Sequence, residues 1–228
     1  MDLKRSVYAF KGESGSGKSL AAQMLVCMKY EQVDNFNYFN EHKDYLPVAV
    51  SFADPLKEFL SCSLSIPLDC FYDKKYKDDY FLKLPEMSFS NELSDFEHVY
   101  NVQDFVDNNG LNNINGYTKI RYIMQYVGTE LIKNKFWSKA WINNLFYSND
   151  FTKNLIIDDC RFKDESDAIY ERGGVCIRII RKQEFLNKYK HYSEQIYEDN
   201  RDIIIMNDGT EEDLFNKIKK LVEDERIA

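Results

Sequence analysis

A three-layer α/β fold with a central parallel sheet of about five strands, covered by helices on both faces, is the fold class this sequence predicts. Three observations carry it. Short apolar, β-branched runs recur along the 228 residues, helical patterns separate them, and the first run leads through a glycine-rich turn into an apolar helix. Connections of that kind join parallel strands through crossovers, and ligands of such sheets bind beyond the strand C-termini. The polar residues that follow each strand are therefore the candidates for chemistry.

The first strand is residues 6–10. After it comes Gly12-Glu13-Ser14-Gly15-Ser16-Gly17-Lys18-Ser19, a Gly-x-x-x-x-Gly-Lys-Ser phosphate loop, and then the helix opening Leu20-Ala21-Ala22-Gln23-Met24-Leu25-Val26. Gly12, Gly15 and Gly17 let the chain curl with its amides pointing inward around Ser14 and Ser16, and the helix N-terminus adds the positive end of its dipole. Lys18 is expected to reach the β- and γ-phosphates of a nucleoside triphosphate, and Ser19 to ligate Mg2+. Strand, loop and helix agree on a P-loop NTPase fold.

The second strand, residues 48–52, runs into Ala53-Asp54-Pro55-Leu56-Lys57. Pro55 suits the first turn of a helix capped by Asp54, which explains Asp54 without function; the position after a strand makes Asp54 and Lys57 acceptor-site candidates. Residues from about 69 to 117, rich in Asp, Asn, Tyr and Phe, read as an irregular insertion, a substrate-covering lobe. Over 118–133, Ile120, Ile123, Met124, Val127 and Leu131 define a buried helical stripe, with Arg121, Gln125 and Gly128 on the stripe beside it. Arg121 suits the phosphate of an acceptor molecule and Gln125 its base. Gly128 marks either a helix break or close approach by another group. Trp137 and Trp141, four apart, form core or a stacking wall, and spacing favours core.

Residues 154–158 are the third strand, ending in Asp158-Asp159-Cys160-Arg161. A carboxylate there holds magnesium directly or through water, and Asp159 is the candidate with Asp158 its competitor. Arg161 either sets a planar guanidinium against a phosphate or pairs with Asp164 or Glu165. The fourth and fifth strands are 175–180 and 202–206. Asn207-Asp208-Gly209 then turns into a final helix capped by Thr210, with Glu211, Glu212 and Asp213 in its first turn and Leu214, Ile218, Leu221 and Val222 on its apolar face.

Composition narrows the function. The length suits one domain over residues 1–228, and a net charge of −8 argues against a broad grip on a nucleic-acid polymer. No apolar run approaches the ~20 residues that span a bilayer, and the N-terminus enters a polar strand rather than a signal peptide, so a cytoplasmic protein without a membrane partner is expected. Five scattered cysteines and three scattered histidines read as packing residues, with little support for a disulfide or structural metal site. Asn187-Lys188-Tyr189-Lys190 lacks the aspartate of the guanine-specificity signal.

Ser51-Phe52-Ala53-Asp54-Pro55-Leu56-Lys57-Glu58, Arg121-x-x-x-Gln125-x-x-Gly128-Thr129-Glu130, Trp141, Asp159-x-Arg161-Phe162-x-x-Glu165, Gly173-Gly174, His191-x-Ser193-Glu194 and Asn207-Asp208-Gly209-Thr210 run in order behind the phosphate loop. In combination they resemble the bacteriophage deoxynucleoside monophosphate kinase family. The resemblance implies a kinase that moves the γ-phosphoryl group of ATP to a deoxynucleoside 5′-monophosphate in the host cytoplasm, with Mg2+ as cofactor. It implies Lys18, Arg121, Asp159 and Arg161 as catalytic residues, and Asp54, Lys57, Arg121, Gln125 and Trp141 around the acceptor. Residues 12–19 would hold the donor phosphates, Ser19 and Asp159 the metal, and Asn207 and Gly209 the adenine side. Arg181 would begin an ATP-closing lid at about 182–195. Lys133 departs from the arginine that the family often has three residues after Glu130. A homodimer stays open, as do a dephospho-coenzyme A, phosphomevalonate or nucleoside kinase and a non-catalytic ATP-dependent switch.

Overall fold

The computed structural model describes residues 7–79, 81–83, 117–149, 154–181 and 196–224. In chain order the elements are β1 (Val7–Lys11), α1 (Lys18–Tyr30), α2 (Phe36–His42), α3 (Asp54–Leu64), α4 (Asp69–Tyr72), α5 (Lys74–Asp79), β2 (Phe81–Lys83) and β3 (Tyr117–Lys119). There follow α6 (Ile120–Gln125), a π-helical stretch (Tyr126–Phe136), α7 (Ala140–Ser148), β4 (Leu155–Ile157), α8 (Lys163–Glu171), β5 (Val175–Ile180), β6 (Ile203–Met206) and α9 (Glu211–Glu223). They form two compact units, one of Met1–Phe52 with Trp141–Ala228 and the other of Ala53–Ala140.

The first unit holds a parallel four-stranded sheet in the order β4-β1-β5-β6. Alternation along β1 builds both faces. Tyr8 and Phe10 pack with Leu25 of α1 and Leu214, Phe215 and Ile218 of α9, whereas Val7 and Ala9 pack with Ile142 and Phe146 of α7 and Ile169 of α8. Helices thus cover both faces, and the near-continuous apolar strands follow from burial on two sides.

Of the expected second strand, 48–52, only a parallel bridge from Val50 to Ile157 forms. Val50 exchanges hydrogen bonds with Ile156 and Asp158 at 3.0 Å each, but the Phe52 amide then donates to the Asp159 carboxylate at 2.7 Å instead of to a neighbouring strand. A side chain distant in sequence captures the donor that a fifth strand needs. At the other end of the unit, α9 begins as its sequence demands: Thr210 accepts from the Asp213 amide, and Asp213 reaches back to the Thr210 amide.

In the second unit, part of the expected irregular insertion is regular. Asp73 accepts from the Lys75 amide at 2.7 Å and starts α5, and β2 pairs antiparallel with β3. Residues 84–116, and the expected lid at 182–195, lie outside the described residues. The helix expected over 118–133 begins with β3 and α6 and then widens into the π stretch. Ile120 and Ile123 are buried, but Leu131 is 38% exposed, because i→i+5 winding abandons the 3.6-residue period that placed it on the buried stripe. All five thiols are unpaired, with Cys27, Cys160 and Cys176 buried and Cys62 exposed. Among the described residues no helix is long and apolar enough to cross a membrane.

Candidate active site

The loop from Gly12 to Ser19 joins β1 to α1 in the first unit. Gly12, Gly15 and Gly17 have φ of +154°, +79° and +92°, a region that side chains with a Cβ rarely adopt. A Cβ on Gly12 would collide with the Ser16 hydroxyl and stand 2.7 Å from the Ile179 carbonyl, while one on Gly17 would stand 2.5 Å from Asn207 Nδ2. No side chain caps α1 at Gly17. The Ser16 hydroxyl is buried without a hydrogen-bond partner, and Lys18, buried as well, reaches the Glu13 carbonyl at 3.4 Å. A curl of main chain, an orphaned inward hydroxyl and a helix N-terminus together fit a phosphate group.

The polar residues at the other strand ends are placed with equal definition. Asp159, after β4, accepts from the Ser51 hydroxyl at 2.5 Å and the Phe52 amide at 2.7 Å. The Glu165 carboxylate, competitor for Arg161, takes two amides, those of Arg161 at 2.8 Å and Phe162 at 3.0 Å. Arg181 is exposed at the end of β5. Asn207, after β6, is buried, and its amide group donates to the Ser16 carbonyl at 2.8 Å, bracing the phosphate loop from outside. Gly209 lines an open surface hollow with Asp208, Asp213 and Lys217. The Thr210 amide, then its hydroxyl, holds the Asp213 carboxyl below the ordinary aspartate range. Trp141 packs half-buried against the core on the α7 side; Trp137, outside it, is 50% exposed, so four-residue spacing does not make both core.

Of the acceptor candidates, Asp54, Lys57, Arg121 and Gln125 lie in the second unit and Trp141 in the first. The cap position of α3 is Ala53, not Asp54. Asp54 instead bonds Lys57 at 2.8 Å and the Tyr72 hydroxyl at 2.9 Å through the same oxygen, while the Lys57 ammonium sits 4.0 Å from the Tyr72 ring centroid. Nothing in the spacing of Tyr72 announces this triad. Arg121 and Gln125 are half-buried on α6. Gly128 is buried at a close approach and does not break the helix: a Cβ there would lie 2.5 Å from Leu56 Cδ2.

A family model described as deoxynucleotide monophosphate kinase matches residues 69–218. This chain belongs to that family. Two curated relatives carry the same description. The protein of Enterobacteria phage T4 is 32% identical over 114 residues, covering 48% of this chain and 47% of that protein. That of Escherichia phage RB69 is 29% identical over 142 residues, covering 58% of each. The chain therefore spans about half the length of the curated relatives it matches. The deoxynucleotide monophosphate kinase match includes Arg121, Gln125, Trp141, Asp159, Arg161, Arg181, Asn207 and Gly209, but begins downstream of the phosphate loop. Loop geometry and family membership are consequently independent observations.

Among the described residues no group of three or more His, Cys, Asp or Glu gathers as a metal cage. Mg2+ bound to a nucleotide needs none, since phosphates and water fill most of its six positions.

Proposed function

We propose that the chain transfers the γ-phosphoryl group of ATP to a deoxynucleoside 5′-monophosphate, yielding the diphosphate and ADP, with both units acting as one kinase domain. The observation that carries the reading is the positive-φ glycine curl around the buried, unpartnered Ser16 hydroxyl, present in a chain that matches the kinase family over residues 69–218.

The protein's task in such a transfer is alignment and charge neutralisation, because an acceptor phosphate is already an anionic nucleophile. The amides of the loop and the Ser16 hydroxyl hold the donor phosphates; Lys18 and Arg161 meet the charge that spreads over the transferring group. Ser19 and Asp159 would hold Mg2+, which when bound neutralises the β- and γ-phosphate oxygens. Arg121 clamps the acceptor phosphate, Gln125 hydrogen-bonds its base, and Asp54, Lys57 and Trp141 complete the acceptor contacts. Arg181 and Gly209 serve the nucleotide donor, and Asn207 keeps the loop in shape.

Purified protein with Mg·ATP and each of the four common deoxynucleoside monophosphates should form ADP at a rate that rises with the acceptor. Formation of ADP only with dephospho-coenzyme A, phosphomevalonate or a nucleoside would move the chain to another kinase class. No acceptor-stimulated ADP at all would refute transfer and leave nucleotide-dependent binding.

A further inference from the structure

Lys11 is the last residue of β1, directly before Gly12, and its side chain has no exposed surface. The ammonium donates to both oxygens of Asp202, at 2.8 and 3.0 Å, and to the Tyr197 carbonyl at 3.2 Å. Asp202, 1% exposed, also accepts from the Tyr170 hydroxyl at 2.7 Å and the Asp199 amide at 3.2 Å. Burial, and then the bond to Asp202, push the Tyr170 phenol well above its ordinary pKa. Every strong acceptor and donor in the cluster is used.

A buried ion pair is a poor source of stability. Desolvation of two charges offsets their attraction, and apolar residues of similar volume often do as well or better. The pair is better explained by what it fixes in place. Asp202 immediately precedes β6, and Tyr197 lies on the segment that leads into it. The Tyr197 amide donates to the Arg161 carbonyl at 2.9 Å. The Arg161 amide is held from the other side by Glu165. One ammonium therefore joins the strand end that launches the phosphate loop to the segment that grips the main chain of Arg161.

We propose that Lys11 and Asp202 are positioning residues that set Arg161 against the phosphate loop through the backbone of Tyr197. The consequence for turnover rests on the kinase reading above; the tie itself does not. Neither residue touches a reacting group.

The double substitution Lys11→Met with Asp202→Leu removes the tie without stranding a buried charge, but it takes a partner from the Tyr170 hydroxyl, the Asp199 amide and the Tyr197 carbonyl, so the protein should stay folded with a lowered melting temperature. Misplacing Arg161 should lower kcat on the order of 10- to 100-fold while the KM values for ATP and the monophosphate change little. Amide hydrogen exchange at Tyr197, read without substrate, should accelerate by roughly tenfold or more as its bond to Arg161 loosens. A folded double variant with parental kcat overturns the proposal, as does one in which Tyr197 stays protected. Should the double variant not fold, Tyr197→Pro deletes the same N–H donor with the ion pair intact; the same loss of kcat supports the proposal and parental kcat overturns it. If the parental protein phosphorylates no monophosphate, the kinase reading falls, and Tyr197 exchange in the double variant alone decides whether the tie exists.

Discussion

Glycines serve opposite purposes in the phosphate loop and in the helical stretch over residues 120–136. Gly12, Gly15 and Gly17 are required by the backbone, because their φ values lie where a Cβ strains its own residue. Gly128 has no such φ and is required by a neighbour, because Leu56 Cδ2 occupies the space a Cβ would take. The first requirement is local and is written into a pattern of eight residues. The second depends on a residue 72 positions away (128 − 56) and leaves only a bare glycine in the sequence. In the proposed reading the loop works through main-chain amides and a few fixed groups, and the helical stretch through the side chains of Arg121 and Gln125, whose placement depends on packing.

The largest expected effect tests the loop. Lys18→Ala should keep the fold, since the apolar core and not this ammonium joins β1 to α1, yet lower turnover on the order of 10²–10³-fold, as removal of one charge-stabilising donor does elsewhere. Circular dichroism and the ADP-release assay together check it, and an active folded variant would remove the loop from catalysis. Arg121→Ala should act on the other side only, raising the monophosphate KM on the order of tenfold, the loss of one charged hydrogen bond, with the ATP KM unchanged. A rise confined to ATP would reverse the assignment of the two regions.

Next in size are the glycines themselves. Gly17→Ala should destabilise by about 1–3 kcal/mol through backbone strain and weaken Mg·ATP binding by calorimetry. Gly128→Ala should destabilise by about 1–3 kcal/mol through overpacking, and combining it with Leu56→Ala should cost less than the sum of the two changes. Chemical denaturation of the double-mutant cycle sharpens the contrast. Truncating Asn207, whose Nδ2 a Cβ at residue 17 would crowd, should restore only part of the loss in Gly17→Ala, because the φ of +92° remains.

The smallest effect lies at another locally coded element, the start of α9. Asp213 has its pKa lowered in the folded protein by the Thr210 amide and hydroxyl. Its contribution is therefore fully present above the unfolded aspartate pKa of about 3.9 and is lost as pH falls through the lower folded value. The difference in melting temperature between parent and Asp213→Ala should be constant near neutral pH and shrink below about pH 4. A gap that instead widened in acid would mean the capping box is not what the carboxylate stabilises.

The sequence made legible whatever neighbouring residues decide. The phosphate loop, β1, β4, β5, β6 and the Thr210 cap all follow from local pattern, and the structure places them within a residue or so of expectation. What long-range partners decide was not legible. The Asp159 carboxylate converts the end of the expected second strand into a bridge and a side-chain contact, and Tyr72 draws Asp54 away from helix capping. Leu131 moved out of the core because π winding shifts the period, a change that no residue type between 126 and 136 announces. Nothing in the sequence around Lys11 announces Asp202, 191 positions away.

That enclosure gives Lys11 one more property. An acylating reagent can attack only an unprotonated amine that it can reach, and this amine is sealed from solvent and clasped by a carboxylate. Chemical tagging of Lys11 is thus a clock for rare openings at the C-terminal end of β1, whereas tags on surface amines such as Lys139 record only the reagent's arrival.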